Sequence, residues 1–460
     1  MNAAGLDRLG LPALGYGPFR VFFVSNLFAN TGIFLFMAAF GWFVQIETNS
    51  PALVGLASAI MGAPWLLLML HAGMLTDRLG ARRLIAASFV GGGLVMALVA
   101  FVALLPSPSV PAVLACAFAM GVLMTLGAPG SISIMGDLVP PAAVSSAVSL
   151  NFLLMNGARI AGGVSAGWLL AGGREPGWTI LVGAVLFGVP GIFMWRIKTI
   201  PRQVTTSPMR SIGGADLIRP IIEAGAHAAR HPTLGMILLL SAGPGLIGLP
   251  YNFLLPVAAV ELGIGAGGLG LLLAAVGTGG LVAGLTAEHI QRRFGHGRSI
   301  LVGLTSAASG LIVFGLGMPL PISLVAMGFA GGGFVVYASS SLTLVQALAP
   351  AALRGRLTSV FSLLYWGLMP IGGLLGGLSA QAVTARTTML GAGIGLVVLG
   401  VLAVIRRPQV LTLSVSRDGL RIDGDLAGSG LEVADAPLGG PLGAPIGSLI
   451  AGGGAVEAER

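Results

Sequence analysis

The chain has 460 residues, 55% hydrophobic and only 9% charged, with a mean hydropathy of +0.95. A soluble domain carries about 25% charged residues, so a water-soluble globular protein is excluded, and so is disorder over most of the length. The net charge of +8 is spread between apolar runs instead of gathered in one patch, which points to a lipid bilayer and to no nucleic-acid partner. One cysteine leaves neither a disulfide framework nor a cysteine-based metal site.

About 20 apolar residues cross the hydrocarbon core. Such runs fall at 19–46, 52–75, 84–105, 110–138, 143–171 and 178–197, then at 233–260, 266–289, 299–316, 320–348, 357–384 and 386–405. The pattern predicts an all-α membrane protein with twelve transmembrane helices, since barrel-type alternation is missing. The first run, flanked by Arg8 and Arg20, exceeds the apolar region of a signal peptide and reads as a retained helix. Eighteen Lys and Arg flank one set of helix ends, against Arg174 and Arg386 at the other. Cytoplasmic loops collect basic residues, so both termini are expected inside.

This divides the chain into a six-helix half at 1–198, a linker at 199–232, a second half at 233–408 and a tail at 409–460. In the linker, Asp216, Arg219, Glu223, His227 and Arg230 recur at helical steps opposite Leu217, Ile218, Ile221 and Ile222. That predicts an interfacial helix on the inner leaflet, with a solvated loop as the plainer alternative. The tail, rich in Gly, Ala and Pro with seven acids, is expected to be mostly disordered and to carry no chemistry.

An internal repeat relates the halves. Segment 138–163 aligns on 348–373, pairing Pro140 with Pro350, Gly157 with Gly367, and Gly162 and Gly163 with Gly372 and Gly373. Segment 53–67 aligns on 268–282, pairing Gly55 with Gly270, Ala59 with Ala274 and Gly62 with Gly277. The offsets are 210 and 215 residues. Duplicating an even number of spans preserves their direction, so two parallel, pseudo-symmetric halves are expected around a midplane site. Shared glycines are read as packing. Polar residues without a polar mate are read as one-sided roles: Arg159 stands opposite Met369, Asn156 opposite Trp366 and Asn151 opposite Phe361.

After the second helix comes Gly73-Met74-Leu75-Thr76-Asp77-Arg78-Leu79-Gly80-Ala81-Arg82-Arg83. It resembles the loop signature of the major facilitator superfamily. Gly73 is expected to allow close helix contact and Gly80 to turn the chain. Arg78, Arg82 and Arg83 would hold the inner leaflet, and Asp77 would pair with an Arg or cap a helix. In that family the loop is a conformational latch between the halves. The second copy, 292–298, has Arg292 where the acid should stand.

The resemblance extends from about Phe19 to Arg407 and is nearest the enterobactin-exporter-like bacterial efflux branch. It rests there on Asn151 through Gly163, on Leu249 through Pro256, and on Arg354-Gly355-Arg356 with Gly367-Leu368-Met369-Pro370. It implies a major facilitator fold and a monomer in the bacterial cytoplasmic (inner) membrane. It further implies export of small amphipathic cargo (drug-like compounds, siderophores or metabolites) by alternating access, with proton antiport as the coupling. Helices one, four, five, seven, ten and eleven would line the cavity. The chain departs from the pattern at Ile33, where relatives often carry an Asp, at Ser131, where an Arg is common, and at Gly162 and Gly163, where Gly-Pro is common. The coupling residue is thus unassigned; Asp77, Glu47 and Glu261 are the acids left to consider.

Arg159 is the one charge well inside a predicted span, and such a group marks a functional site by default. A cargo anion or a wet cavity would balance it; helix carbonyls and Asn156 are the structural alternative. Asn26 and Asn30 on the first helix, and Tyr251 and Asn252 on the seventh, are the other candidate cargo contacts, or else interhelical glue. Pro244, Pro250 and Pro256 are expected to bend the seventh helix. Phe36, Trp42, Trp65, Phe361, Tyr365 and Trp366 could form an apolar cargo wall or pack against neighbours. His71, His289, His227 and His231 lack metal spacing, and Gly331-Gly332-Gly333 has no phosphate-loop Lys, so neither metal nor cofactor is expected. No enzyme constellation is visible. Two further readings stay open: a gradient-independent facilitator or uptake carrier, and a transport-dead sensor or scaffold.

Overall fold

The computed structural model describes residues 12–197, 223, 225–226, 228, 230–350, 353–416 and 419–422. The spans of the first half are α1 (Gly17–Thr48), α2 (Pro51–Leu79), α3 (Ala81–Ala103), α4 (Val110–Ser133), α5 (Val144–Ala171) and α6 (Pro176–Met194). Those of the second are α7 (Pro232–Glu261), α8 (265–291), α9 (299–315), α10 (Leu320–Leu348), α11 (Arg354–Ala382) and α12 (Ala385–Arg406). Ten helices among the described residues suffice by length and composition to cross a membrane. One of the ten, Gly265–Gly315, is two spans that break at Gly295 (φ 77°). The remaining span, α5, is less apolar because it holds Asn151, Asn156 and Arg159. Twelve spans result, with an all-helical membrane fold.

Helix starts are marked in the sequence. Pro opens α2, α6 and α7, where a missing N–H has no intrahelical partner to lose. Ser50 caps α2 by accepting from the Leu53 amide at 3.3 Å, and Thr384 caps α12 by accepting from the Thr387 amide at 3.0 Å. Two spans are interrupted. A π turn at Pro244–Gly248 divides α7, and another at Leu363–Gly367 divides α11. The turns touch: a Cβ on Gly245 would collide with the Leu364 carbonyl. The bend expected of α7 thus occurs at Pro244 and Pro250. At Pro256 the helix runs on unbroken, and the ring fits the space left by Gly41 of α1.

The halves meet where α2 packs on α11 and α5 on α8. Each seam is a copy of the other. A Cβ on Gly377 would lie 2.7 Å from the Gly55 Cα, and one on Gly167 would lie 2.7 Å from the Gly270 Cα. One layer deeper, Gly62 receives the Pro370 ring as Gly277 receives Ile160. These four crossings obey the two repeat offsets read from the sequence. They lie in the halves of the helices remote from the Arg-rich turns. At that remote end Ser50 Oγ also donates to Gln381 Oε1 across the halves at 3.0 Å.

At the basic end the repeat shows again. Gly80 (φ 84°) turns α2 into α3, and Gly295 turns α8 into α9. The tail expected to be featureless from 409 begins otherwise: Leu413–Ser416 and Gly419–Ile422 pair as an antiparallel hairpin, β1 and β2. The hairpin docks on the α8–α9 turn. There Val415 donates its amide to His296 Nδ1 at 3.2 Å, and Gly297 leaves room for the Val410 carbonyl. The alternation Leu413, Val415 buries one strand face, which composition averaged over the whole tail conceals. Residues 423–460 lie outside the described residues, as does most of the linker. Asp216, Arg219 and His227 are among those not described, while Glu223 and Arg230 are helical. Glu223 pairs with Arg356 at 3.7 Å, both exposed.

Candidate functional site: a chamber on the pseudo-two-fold axis

Between the halves, level with the glycine seams, lies a chamber of about 80 Å³. Its wall comes from α1, α2, α5, α7, α8 and α11. The resemblance implied helices four and ten in place of two and eight. That expectation is corrected, since the same helices that form the seams complete the wall at their level.

The wall is two-fold by sequence. Met37 and Asn252, Ala38 and Phe253, Gly41 and Pro256, Val54 and Leu269, and Ser58 and Leu273 are pairs 215 residues apart, all lining the chamber. Arg159 and Met369, 210 apart, make a sixth. The polar members Arg159, Asn252 and Ser58 each face an apolar mate. A nearly symmetric apolar shell is therefore marked by three one-sided polar groups.

Arg159 holds the only charge among the lining residues. Its stem packs on Gly277, where a Cβ would stand 3.4 Å from Cγ, and its guanidinium lies 5.1 Å from the Phe34 ring centroid. That distance is a cation–π contact. Among the described residues, none hydrogen-bonds or ion-pairs with the guanidinium. Asn252 donates to the Leu249 carbonyl at 3.0 Å and lines the chamber. Ser58 donates to the Gly55 carbonyl at 2.7 Å.

The other four candidate contacts do not line this chamber. Asn26 donates to Asn151 Oδ1 at 3.0 Å, joining α1 to α5, and Asn30 donates to Asn26 Oδ1 at 2.9 Å. Asn156 donates to the Phe152 carbonyl at 3.0 Å and fills the notch at Gly280. Tyr251 is buried and stacks on Phe334 with centroids 5.9 Å apart. Nor do the expected wall aromatics contribute. Phe36, Phe361 and Tyr365 are buried among helices, while Trp366 is 46% exposed and is absent from the chamber wall. Phe34, Phe40 and Phe253 line the chamber in their stead, with Met37, Met61 and Met369. The repeat signalled one of these, since Met369 is the mate of Arg159.

The latch segment is partly as expected. Gly80 makes its turn, Arg78 and Arg83 are exposed, and Arg82 donates to the Ile197 carbonyl at 2.6 Å, tying α3 to the end of α6. Gly73 needs correcting, because a Cβ there would meet nothing within 4 Å, so among the described residues no helix packs closely against it. Gly157, read as packing, is equally open. The Asp77 side chain lies outside the described residues. Glu47 is exposed at the end of α1. Glu261 accepts from the Ala385 amide at 2.7 Å and so caps α12. No cluster of metal-binding side chains occurs among the described residues.

Comparison with known proteins agrees with this architecture. A family model described as transmembrane secretion effector matches residues 10–416. The chain is 24% identical over 391 residues to the enterobactin exporter EntS of Citrobacter koseri, covering 84% of this chain and 91% of that one. It is 27% identical over 401 residues to the multidrug efflux pump Tap of Mycolicibacterium fortuitum, covering 84% and 95%. Among solved structures, the nucleoside transporter NupG superposes with a TM-score of 0.68 at 14% identity, covering 85% of this chain and 98% of that one.

Proposed function

Since the chain belongs to the transmembrane secretion effector family of major facilitator transporters, and not to a family of enzymes, we propose that it exports small amphipathic molecules by alternating access. The single observation that supports this most is the chamber. It is apolar, lies on the axis relating the halves, and carries a few converging polar groups, which is how small-molecule sites are built. Three methionines in its wall suit variable cargo shapes. The names of the relatives EntS and Tap, an exporter and an efflux pump, favour outward movement.

In this reading the Arg-rich end faces the cytoplasm of a bacterial cell, by the excess of basic residues there, and both termini lie inside. The chain acts as a monomer. The seams Gly55–Gly377 and Gly167–Gly270 are the outer gate. The turn at Gly73, Asp77, Arg78, Gly80, Arg82 and Arg83 is the inner latch, with Arg82 holding α3 to α6. Proton antiport, the coupling implied by the resemblance, would fall to acids at helix ends. Glu261 is occupied as a cap, and no acid is in the wall.

Inside-out vesicles containing the protein should accumulate members of a fluorescent amphiphile panel, while vesicles without it should not. Failure across the whole panel would remove the exporter reading and leave a sensor or scaffold.

A further inference from the structure

The chamber wall holds one permanent charge and no opposite one. That charge is the Arg159 guanidinium. Arg159 is the sole charged lining residue, and among the described residues its guanidinium rests on Phe34, a neutral ring. A guanidinium at this depth is disfavoured unless something balances it. The occupant that would balance it is an oxyanion, which the planar N–H fork binds at two atoms. A cationic cargo would meet uncompensated like charge in a poorly screened site. The remainder of the wall demands an apolar body.

The same charge settles how work could be done without an acid. With an anion bound, the site is neutral as it crosses the membrane; empty, it returns carrying one positive charge. An inside-negative potential pulls that empty, positive form inward and resists nothing on the loaded stroke. Each cycle thus moves one negative charge outward, and neither a proton nor a carboxylate is required. We infer that the cargo is a monoanionic amphiphile, and that the membrane potential acting on Arg159 and its bound anion drives export. This rests on the exporter reading above and deepens it.

The test uses the full chain reconstituted in liposomes with a potassium diffusion potential and equal pH on both sides. Three probes share one fluorescent apolar body: a sulfonate, its neutral sulfonamide and a quaternary ammonium. The sulfonate keeps its charge at every pH, so it cannot leak as a neutral acid. The expected result is sulfonate movement into the positive compartment, tending to a tenfold gradient for roughly each 59 mV. It should be indifferent to an imposed pH gradient. Arg159→Met, which installs the residue of the repeat mate, should abolish it, and Arg159→Lys, which keeps the charge but not the fork, should retain part. Transport of the ammonium or sulfonamide without the sulfonate would overturn the inference and leave the exporter reading standing. So would sulfonate flux that follows pH and ignores potential, or flux that survives in Arg159→Met. No protein-dependent movement of any probe would overturn both.

Discussion

The two halves build their shared chamber from the same positions and different chemistry. Val54 and Leu269 both supply apolar wall, and the Pro256 ring fills the space that Gly41 leaves. Arg159 and Met369 do not match, nor do Asn252 and Met37 or Ser58 and Leu273. Duplication supplies a closed, symmetric container. Polarity is then confined to one member of a pair, so the chamber has a charged side and an oily side. The first half contributes the charge and the second the Asn252 amide, so the polar end of a cargo would lie across the axis.

Moving the charge is the sharpest way to break this comparison. Arg159→Met makes the pair apolar on both sides and should abolish flux of an anionic cargo. Arg159→Met combined with Met369→Arg transplants the charge to the other wall. If the two positions are equivalent in the container, part of the flux returns, read as sulfonate uptake in liposomes. A double variant as inactive as the single one would show that Phe34 and Gly277, which seat Arg159, have no working counterpart across the axis.

The seams should be more nearly interchangeable. In each, a glycine Cα of one half meets a glycine of the other, and an added Cβ would stand 2.7 Å away. Gly167→Leu and Gly377→Leu should therefore both wedge the remote end apart, each at a cost of about 1–3 kcal/mol to the closed form. Single cysteines placed at Ser50 and Gln381, which are 3.0 Å apart at their side-chain oxygens, would report the gap by their rate of cross-linking. Unequal effects would mean that one seam opens first.

Much of this was legible before any coordinates. Twelve spans, the basic end and the repeat come from hydropathy and from internal identity, signals that packing in a bilayer imposes on almost every residue. Arg159 was legible because a charge in a span has no cheap explanation. The wall itself was not, since Phe34 and Phe253 resemble every other apolar residue until two helices are set face to face. Asn26 and Tyr251 misled for the converse reason: a polar side chain inside a membrane satisfies a neighbour as readily as a ligand. The hairpin escaped because eight paired residues are diluted by a Gly- and Pro-rich tail.

The polar bonds within each half should matter less than the container. Asn26 and Ser241 are 215 residues apart and both reach a neighbouring helix. Asn26 bonds to Asn151 of α5 at 3.0 Å, and Ser241 accepts from the Tyr337 hydroxyl of α10 at 3.4 Å. Interhelical bonds in membranes average about 0.6 kcal/mol and reach about 1.7. Asn26→Ala should lower thermal stability in detergent by an amount in that range, Ser241→Ala by less given the longer bond, and neither should alter which cargo is carried. A change in cargo selectivity from Asn26→Ala would return that residue to the binding site.

The two basic turns, at Gly80 and Gly295, provide the smallest and most local contrast. The first stands after Asp77, whereas the second has Arg292 in that place and holds the hairpin through His296. Burial pushes the His296 imidazole below its ordinary value of 6.5. The folded state thus favours the neutral ring, whose Nδ1 accepts the Val415 amide. Its contribution is complete above about 6.5 and fades as the pH falls through the lowered value, because the unfolded turn binds the proton more readily. A single bond of this kind contributes about 0.5–1.5 kcal/mol. Hydrogen exchange at Val415, corrected for the intrinsic rate, should therefore accelerate between pH 7.5 and a pH below the lowered value. His296→Phe should exchange fast at both. Equal protection across that range in the wild type would show that the hairpin is held by Val410 against Gly297 alone, and that the second turn carries no proton-sensitive contact.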